Sequence, residues 1–224
     1  IKLKIVMSFN KLFQKIYNGR NLNASEATIA FKNIMSGKIN NSELAAFLVT
    51  LSLKGISSSE LLSAVQVIRS KAIKIKSSGN IVDTCGTGGD KKNTLNISTA
   101  TAILAAASGV KVAKHGNKSV SSKSGSSDVL GKLGININSP IKSVEKSLRL
   151  IGLCFLMAPL YHKAMKNVAE VRALLKVPTI FNILGPLLNP ANAQIQLIGV
   201  YSKDWLMPIA NCLKKLKIKR AWIV

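Results

Sequence analysis

The chain has 224 residues, 47% of them hydrophobic, and a mean hydropathy of +0.25. That is enough to bury a substantial core in one large or two small domains, and no apolar run reaches the eighteen or so residues of a membrane span. The formal net charge is +23, from 32 Lys and Arg against 9 Asp and Glu. Such an excess suits a nucleic-acid surface, but the lysines are spread along the whole chain and aromatics are only 5%, which leaves few platforms for stacked bases.

Residues 1–6 precede the first methionine, Met7, so the start of the chain is expected to lie outside the natural protein. From Phe9 the spacing is helical, with Phe9, Leu12, Phe13 and Ile16 on one face and Gly19 ending the run. Asn23-x-x-Glu26 reads as a capping box opening a helix with Ala27, Ala30, Phe31 and Ile34 inward, closed by Gly37. A third helix carries Leu44, Phe47, Leu48 and Leu51 and stops at Gly55. Ser57-x-x-Glu60 caps a fourth, with Leu61, Ala64, Val65 and Ile68 on its buried face. Four short amphipathic helices in succession make a bundle. They hold no catalytic constellation.

The composition shifts at Lys71–Asn80, a basic, serine-bearing linker, and an alternating β/α pattern follows. Gly79–Asp83 is a strand running into the turn Gly86-Thr87-Gly88-Gly89-Asp90. After a lysine-bearing loop, Asn96, Ile97, Ser98 and Thr99 lead into a small-residue helix from Ala100 to about Ser108. Val110–Ala113 is the next strand, and a second loop starts at Lys114-His115-Gly116-Asn117-Lys118-Ser119 and continues to a helix at Asp128. In parallel α/β units both loops emerge at the carboxyl edge of the sheet, where ligands bind. Three glycines in four positions allow a sharp turn and close backbone approach, and such a turn beside a helix N-terminus forms an anion cradle. Asn96, Ser98 and Thr99 suit a helix cap and equally suit phosphate oxygens or a metal ion. Lys114 adds a fixed positive charge. A phosphate-bearing ligand is the expectation.

Farther on, a helix contains Val144, Leu148 and Leu150, and Gly152–Met157 is short enough for a buried strand. Residues 160–177 read as one helix with Met165, Val168, Val171 and Leu175 as its buried stripe and Arg172 off it. Thr179–Leu184 reads as extended, Gly185–Pro190 as a rigid turn, Gln196–Tyr201 as a strand. A helix from about Trp205 ends in a basic run, and Ala221–Val224 reads as a core strand. The cysteines Cys85, Cys154 and Cys212 are scattered, without metal-ligand spacing, and point to a reducing, cytoplasmic compartment. Cys85 is expected to be a packed thiol, not a nucleophile, and His162 structural.

The segments GTGGD, NIST, KHGNKSVSSKSGSSD and NVAEVRALLKVPTIFNILGPLLNP, in this order, resemble the anthranilate phosphoribosyltransferase family, and the resemblance covers nearly the whole chain. It implies an α/β fold with a mainly parallel sheet, of the nucleoside phosphorylase/phosphoribosyltransferase class. It also implies an N-terminal helical bundle over 1–72 and a phosphoribosyl pyrophosphate-binding domain over 78–224, with roughly 160–185 packing with the bundle. The reaction implied is transfer of the phosphoribosyl group of phosphoribosyl pyrophosphate to the amine of anthranilate, with release of pyrophosphate, in tryptophan biosynthesis. The implied cofactor is Mg²⁺ and the implied assembly a homodimer through the helical domain.

By the same resemblance, Gly86, Gly89, Asp90, Thr94, Asn96, Ile97, Ser98 and Thr99 line the phosphoribosyl pyrophosphate site, with Ser98 a ligand of one Mg²⁺. Lys114, His115, Gly116, Asn117, Lys118, Ser119, Val120, Ser121, Ser122 and Ser126 enclose its phosphates. Gly86, Asn117 and Arg172 contact anthranilate, the guanidinium suiting the substrate carboxylate. Lys118 stands where an arginine is expected after His-Gly-Asn, which weakens a bidentate phosphate contact there. No residue is assigned proton transfer, since a neutral aromatic amine already carries its lone pair. The family's chains continue past the last strand into an Asp-Glu metal-binding pair, so this chain is expected to be a C-terminally truncated fragment. Two rival readings remain, a pyrimidine nucleoside phosphorylase-like enzyme and a basic nucleic-acid-binding relative.

Overall fold

A computed structural model describes residues 8–89, 95–118 and 125–224, so Asp90, Thr94, Ser119, Val120, Ser121 and Ser122 lie outside the described residues. The chain divides into two compact units, one built from the stretch up to Lys71 with Ala164–Phe181, the other from Ala72–Lys163 with Asn182–Val224.

The first unit is helical: α1 (Phe9–Tyr17), α2 (Ala24–Met35), α3 (Asn41–Lys54), α4 (Ser58–Lys71) and α9 (Lys166–Leu175). Local chemistry starts each of the first four. Ser8 and Asn40 accept from the backbone N–H three residues on, and Asn23 with Glu26 forms the reciprocal capping box the sequence predicts. Glu60 does more than cap. Its carboxylate accepts from the N–H groups of Ser57 and Leu22 and pairs with Lys54 at 3.0 Å, all while fully buried. The predicted inward faces are buried, from Leu12 and Ile16 through Phe31, Phe47, Leu51 and Leu61 to Ile68, except that Phe9 and Phe13 of α1 are half-buried. Asn167 of α9 donates to the Met35 carbonyl at 3.1 Å, tying that helix to the end of α2.

The second unit is a five-stranded sheet of β1 (Val82–Asp83), β2 (Val112–Gly116), β3 (Leu153–Met157), β4 (Ile195–Ile198) and β5 (Arg220–Ile223), in the order β3-β2-β1-β4-β5. Every pairing is parallel. The helices α5 (Ile97–Ala107), α6 (Ser126–Lys132), α7 (Ile141–Leu150), α8 (Ala158–Tyr161) and α10 (Leu206–Lys215) complete it. Ile75, Ile81, Ala113, Val144, Leu148, Leu156, Tyr161 and Ala193 share one apolar core.

Several expectations are corrected. The first strand is two residues long, not five, because its pairing with β2 and β4 starts only at Val82. The helix after the lysine-bearing loop begins at Ile97, not Ala100, so Ser98 and Thr99 are in its first turn. Lys114, His115 and Gly116 belong to β2 and not to a loop, because the ladder to β3 runs through Gly116 opposite Met157. Residues 160–177 do not form one helix: α8 ends at Tyr161, a 3₁₀ turn spans Lys163–Met165, and α9 follows until Lys176 turns left-handed at φ 51°. Thr179–Leu184 is not extended, since Ile180–Asn182 forms a 3₁₀ turn. β5 lies last in the strand order, with Trp222 70% exposed.

Candidate active site

Because every strand of the sheet is parallel, their carboxyl ends share one edge. The chain builds outward from β1 through β2 to β3, then returns to the other side of β1 with β4 and β5. The order therefore reverses between β1 and β4, the position where open α/β sheets leave a crevice for ligands. The glycine turn leaves β1 at this point. Thr87 donates its N–H to the Gly199 carbonyl at 2.8 Å, and its hydroxyl accepts from Tyr201 N–H at 3.2 Å, so the turn is laced to the segment after β4. A Cβ on Gly86 would stand 3.1 Å from the Gly199 oxygen, so a side chain here would require the Gly199 backbone to give way. Gly88 and Gly89 adopt φ of 64° and 81°, and both are exposed.

On the neighbouring side, α5 presents its N-terminus. Asn96 is the N-cap residue and its Oδ1 accepts from Thr99 Oγ1 at 3.2 Å. Thr84 hydroxyl, just beyond β1, donates to the Ser98 carbonyl at 2.8 Å and fixes the first turn against the strand end. Lys114 Nζ donates to Ser98 Oγ at 3.1 Å, with the lysine itself buried. Ser98 is half-buried and Ile97 exposed. Gly116, Asn117 and Lys118 follow at the end of β2, the last two exposed, and Asn117 Oδ1 accepts from the Lys118 backbone N–H. Ser126 opens α6 and lies against Gly116, where a Cβ would come within 3.2 Å of it. Gly86, Gly89, the Asn96–Thr99 turn, Lys114, Gly116–Lys118 and Ser126 thus all belong to strand ends and helix starts on the carboxyl side of the sheet.

Beneath this edge sits a buried polar network. Asp83 Oδ1 accepts from His115 N–H at 3.1 Å and Oδ2 from Asn189 Nδ2 at 2.7 Å, and Asn189 also donates to the Ala113 carbonyl. Burial pushes the Asp83 carboxyl up to about 6, against the opposing pull of Lys114 and of these donors. His115 is buried, with Nδ1 3.0 Å from the Gly185 carbonyl and its ring 5.2 Å from that of His162. It therefore anchors the Gly185 turn from a strand and not from a loop. Burial, with the nearby Asp83 charge, pushes the Cys85 thiol up to about 12, the protonated and unreactive state of a packed cysteine.

Arg172 belongs to the helical unit. It lies on α9, its guanidinium 5.5 Å from the centre of the Phe181 ring, and burial lowers its pKa from the ordinary value. Sequence reasoning passed over Asn189, Gly199 and Tyr201. Asn189 lies inside the quoted GPLLNP segment, but its partner Asp83 is 106 positions away.

The edge can hold an anion by backbone N–H groups at a helix N-terminus, a left-handed glycine pair and a buried ammonium. Among the described residues it offers no activated nucleophile. A cleft of about 440 Å³ between Lys74–Gly79 and Pro190–Gln194 adjoins the amino ends of β1 and β4, away from this edge.

Comparison with known proteins agrees with this geometry. Residues 78–224 match the glycosyl transferase family α/β domain and residues 10–72 its helical bundle domain. The chain is 51% identical over 217 residues to an anthranilate phosphoribosyltransferase of Petrotoga mobilis, covering 96% of this chain and 63% of that protein. It is 49% identical to one of Persephonella marina, covering 94% of this chain and 63% of the relative. Among solved structures it is similar to anthranilate phosphoribosyltransferase from Thermus thermophilus (TM-score 0.87, 40% identity, 92% of this chain and 63% of that one). It is also similar to the Saccharomyces cerevisiae enzyme in complex with PRPP and Mg (TM-score 0.87, 28% identity, 96% and 64%). The chain thus spans just under two thirds of the length of these relatives.

Proposed function

Because the chain belongs to the glycosyl transferase family by both its helical bundle and its α/β domain, we propose that it transfers the phosphoribosyl group of phosphoribosyl pyrophosphate to anthranilate, releasing pyrophosphate. The observation that carries this reading is the coincidence, at the point where the strand order reverses, of the glycine turn, the α5 N-terminus and the buried Lys114. Such an edge stabilises negative charge on a departing pyrophosphate, the demand of a substitution whose leaving group is an anion. The amine needs no strong base, which agrees with a protonated Cys85 and a His115 committed to the Gly185 turn.

In this reading Gly86, Gly89 and the Asn96–Thr99 turn bind the pyrophosphate and ribose, together with Asp90 and Thr94. Lys114–Asn117, Lys118, the Ser119–Ser122 stretch and Ser126 surround the phosphates. Ser98 Oγ, half-buried beside Lys114, is a hard oxygen donor of the type Mg²⁺ accepts when substrate phosphates supply its other ligands. Mg²⁺, when bound, neutralises charge on pyrophosphate. Arg172, together with Gly86 and Asn117, is assigned to anthranilate, the guanidinium to its carboxylate. We infer a homodimer formed through the helical unit, on which Tyr17, Leu53 and Leu174 are exposed apolar residues, and a cytoplasmic setting, in keeping with three free cysteines.

The test is calorimetric titration of the chain with phosphoribosyl pyrophosphate and Mg²⁺, followed by loss of anthranilate fluorescence. Binding that Gly88→Val abolishes without unfolding is the expected result. Arg172→Ala is expected to weaken anthranilate by about 1.5–3 kcal/mol, the range for a hydrogen bond to a charged group, while leaving phosphoribosyl pyrophosphate unaffected. No binding of phosphoribosyl pyrophosphate, or equal losses for both substrates, would overturn these assignments.

A further inference from the structure

Asn189 is buried beneath the phosphate-binding edge and uses both amide hydrogens and its oxygen. Nδ2 donates to Asp83 Oδ2 at 2.7 Å and to the Ala113 carbonyl at 2.8 Å, and Oδ1 accepts from Ala191 N–H at 2.8 Å. We propose that Asn189 is a positioning residue for this edge: with Asp83 it clamps β2 on both sides of Lys114, so that the ammonium is held at Ser98. The clamp rests on the proposed phosphoribosyl transfer only for what the edge binds.

The backbone ladder does not hold this part of β2 against β1. The two strands share the register pair Val82 with Val112, where Val82 N–H donates to the Lys111 carbonyl, and β1 ends at Asp83. In a parallel strand, alternate residues turn their N–H and C=O to the same neighbour, so Ala113 and His115 still face the β1 side after that strand has ended. Side chains take over there. The Ala113 carbonyl accepts from Asn189, and His115 N–H donates to Asp83 Oδ1 at 3.1 Å. These two bonds fall on the residues immediately before and after Lys114, and both run into the one contact between Asp83 and Asn189.

From this clamped residue the Lys114 side chain reaches Ser98 Oγ at 3.1 Å, while the Thr84 hydroxyl, one residue past Asp83, holds the Ser98 carbonyl at 2.8 Å. The first turn of α5 is thereby referenced to the ends of β1 and β2 together. Without the Asn189 amide, the Ala113 carbonyl, Asp83 Oδ2 and the Ala191 N–H lose their partner in a buried place, and each such loss favours a shift that finds another. Lys114 sits between two of those groups, so its ammonium moves with them. A misplacement of about 1 Å in a positioned group can cost about 100-fold in function.

The experiment compares the 224-residue chain with Asn189→Leu, Lys114→Met, their double variant and a control, Gln196→Leu, which removes another buried amide, bonded to the Pro186 carbonyl at 2.9 Å. Reductive methylation read by mass spectrometry reports, with no ligand present, whether Lys114 is protected. Protection is expected in the unsubstituted chain and in Gln196→Leu, and its loss in Asn189→Leu. In calorimetric titration with phosphoribosyl pyrophosphate and Mg²⁺, Asn189→Leu is expected to weaken binding about 100-fold and Gln196→Leu to leave it unchanged. In the Lys114→Met background Asn189→Leu is expected to add nothing, the non-additivity of residues that act through one group. Lys114 still protected in Asn189→Leu, equal exposure of Lys114 in Gln196→Leu, or additive losses in the double variant would each overturn the proposal. If the unsubstituted chain binds no phosphoribosyl pyrophosphate, the proposed function falls and methylation alone decides the clamp. If Asn189→Leu does not fold, Asp83→Asn, whose amide cannot accept at both positions, takes its place in both measurements.

Discussion

At the scale of single residues, Asp83 governs how the site responds to pH. Its folded pKa of about 6 lies above its ordinary 3.8 because burial outweighs Lys114 and the donors around it. A raised carboxyl binds its proton more tightly in the folded state, so this stabilisation is complete below about pH 4 and is lost as pH rises through 6. The shift of roughly two units corresponds to about 2–3 kcal/mol. Denaturant unfolding of the chain and of Asp83→Asn at pH 4 and pH 7.5 should show the stability difference between them changing by that amount, wild type losing ground at the higher pH. A pH-independent difference would sink the assignment. Gly88 gives a smaller lesson. A Cβ there meets nothing within 4 Å, so the harm expected from Gly88→Val comes from its φ of 64° and not from crowding of the described neighbours.

At the scale of elements, two contacts set how segments meet. A Cβ on Gly116 would approach Phe155 Cε2 to 2.8 Å and Ser126 Cβ to 3.2 Å, so β2, β3 and α6 close on one another through a glycine. Gly116→Ala is expected to cost about 1–3 kcal/mol as overpacking, and Phe155→Leu in the same chain should recover part of it. Additive losses in the double variant, read from unfolding midpoints, would refute this packing account. In the helical unit, Glu60 joins the start of α4, the approach to α2 at Leu22 and the end of α3 at Lys54. Glu60→Ala leaves the buried Lys54 ammonium without its counter-charge, though still bonded to Asn21 and Gly55, and leaves the Leu22 and Ser57 N–H groups without their acceptor, and is expected to cost about 3–5 kcal/mol. Asn23→Ala, which removes an exposed cap, is expected to cost about 1 kcal/mol. Thermal unfolding of the two variants should rank them in that order.

At the scale of the whole molecule, a net charge of +23 is opposed by few internal pairs. Lys15–Glu26 and Lys54–Glu60 are two such ion pairs. Self-repulsion among the remaining lysines works against the compact state. Raising ionic strength from about 10 mM to about 0.15 M shortens the screening length from about 30 to about 8 Å. The unfolding midpoint should therefore rise with salt, by about 2–4 °C for each kcal/mol recovered. A midpoint that falls, or that does not move, would show that the charges are already neutralised by their arrangement.

What the sequence determined by itself was whatever short-range chemistry decides. The Asn23–Glu26 and Ser57–Glu60 boxes, the inward faces of the first four helices and the glycine turn are set by partners three or four positions apart, and all are where the residues place them. The glycine turn and the start of α5 are legible for the same reason, since a turn and a helix start carry their own backbone donors. The tertiary structure decided what depends on distant partners. β1 is two residues long because β2 and β4 pair with no more of it, and Lys114 and His115 are buried strand residues because β3, some forty positions on, continues the ladder past them. A polar run such as Lys-His-Gly-Asn reads as a loop until Asp83, Ser98 and Gly185 supply its charges and hydrogen bonds from 16 to 70 positions away. Those partners offset the desolvation of each buried polar group, and no local pattern announces them.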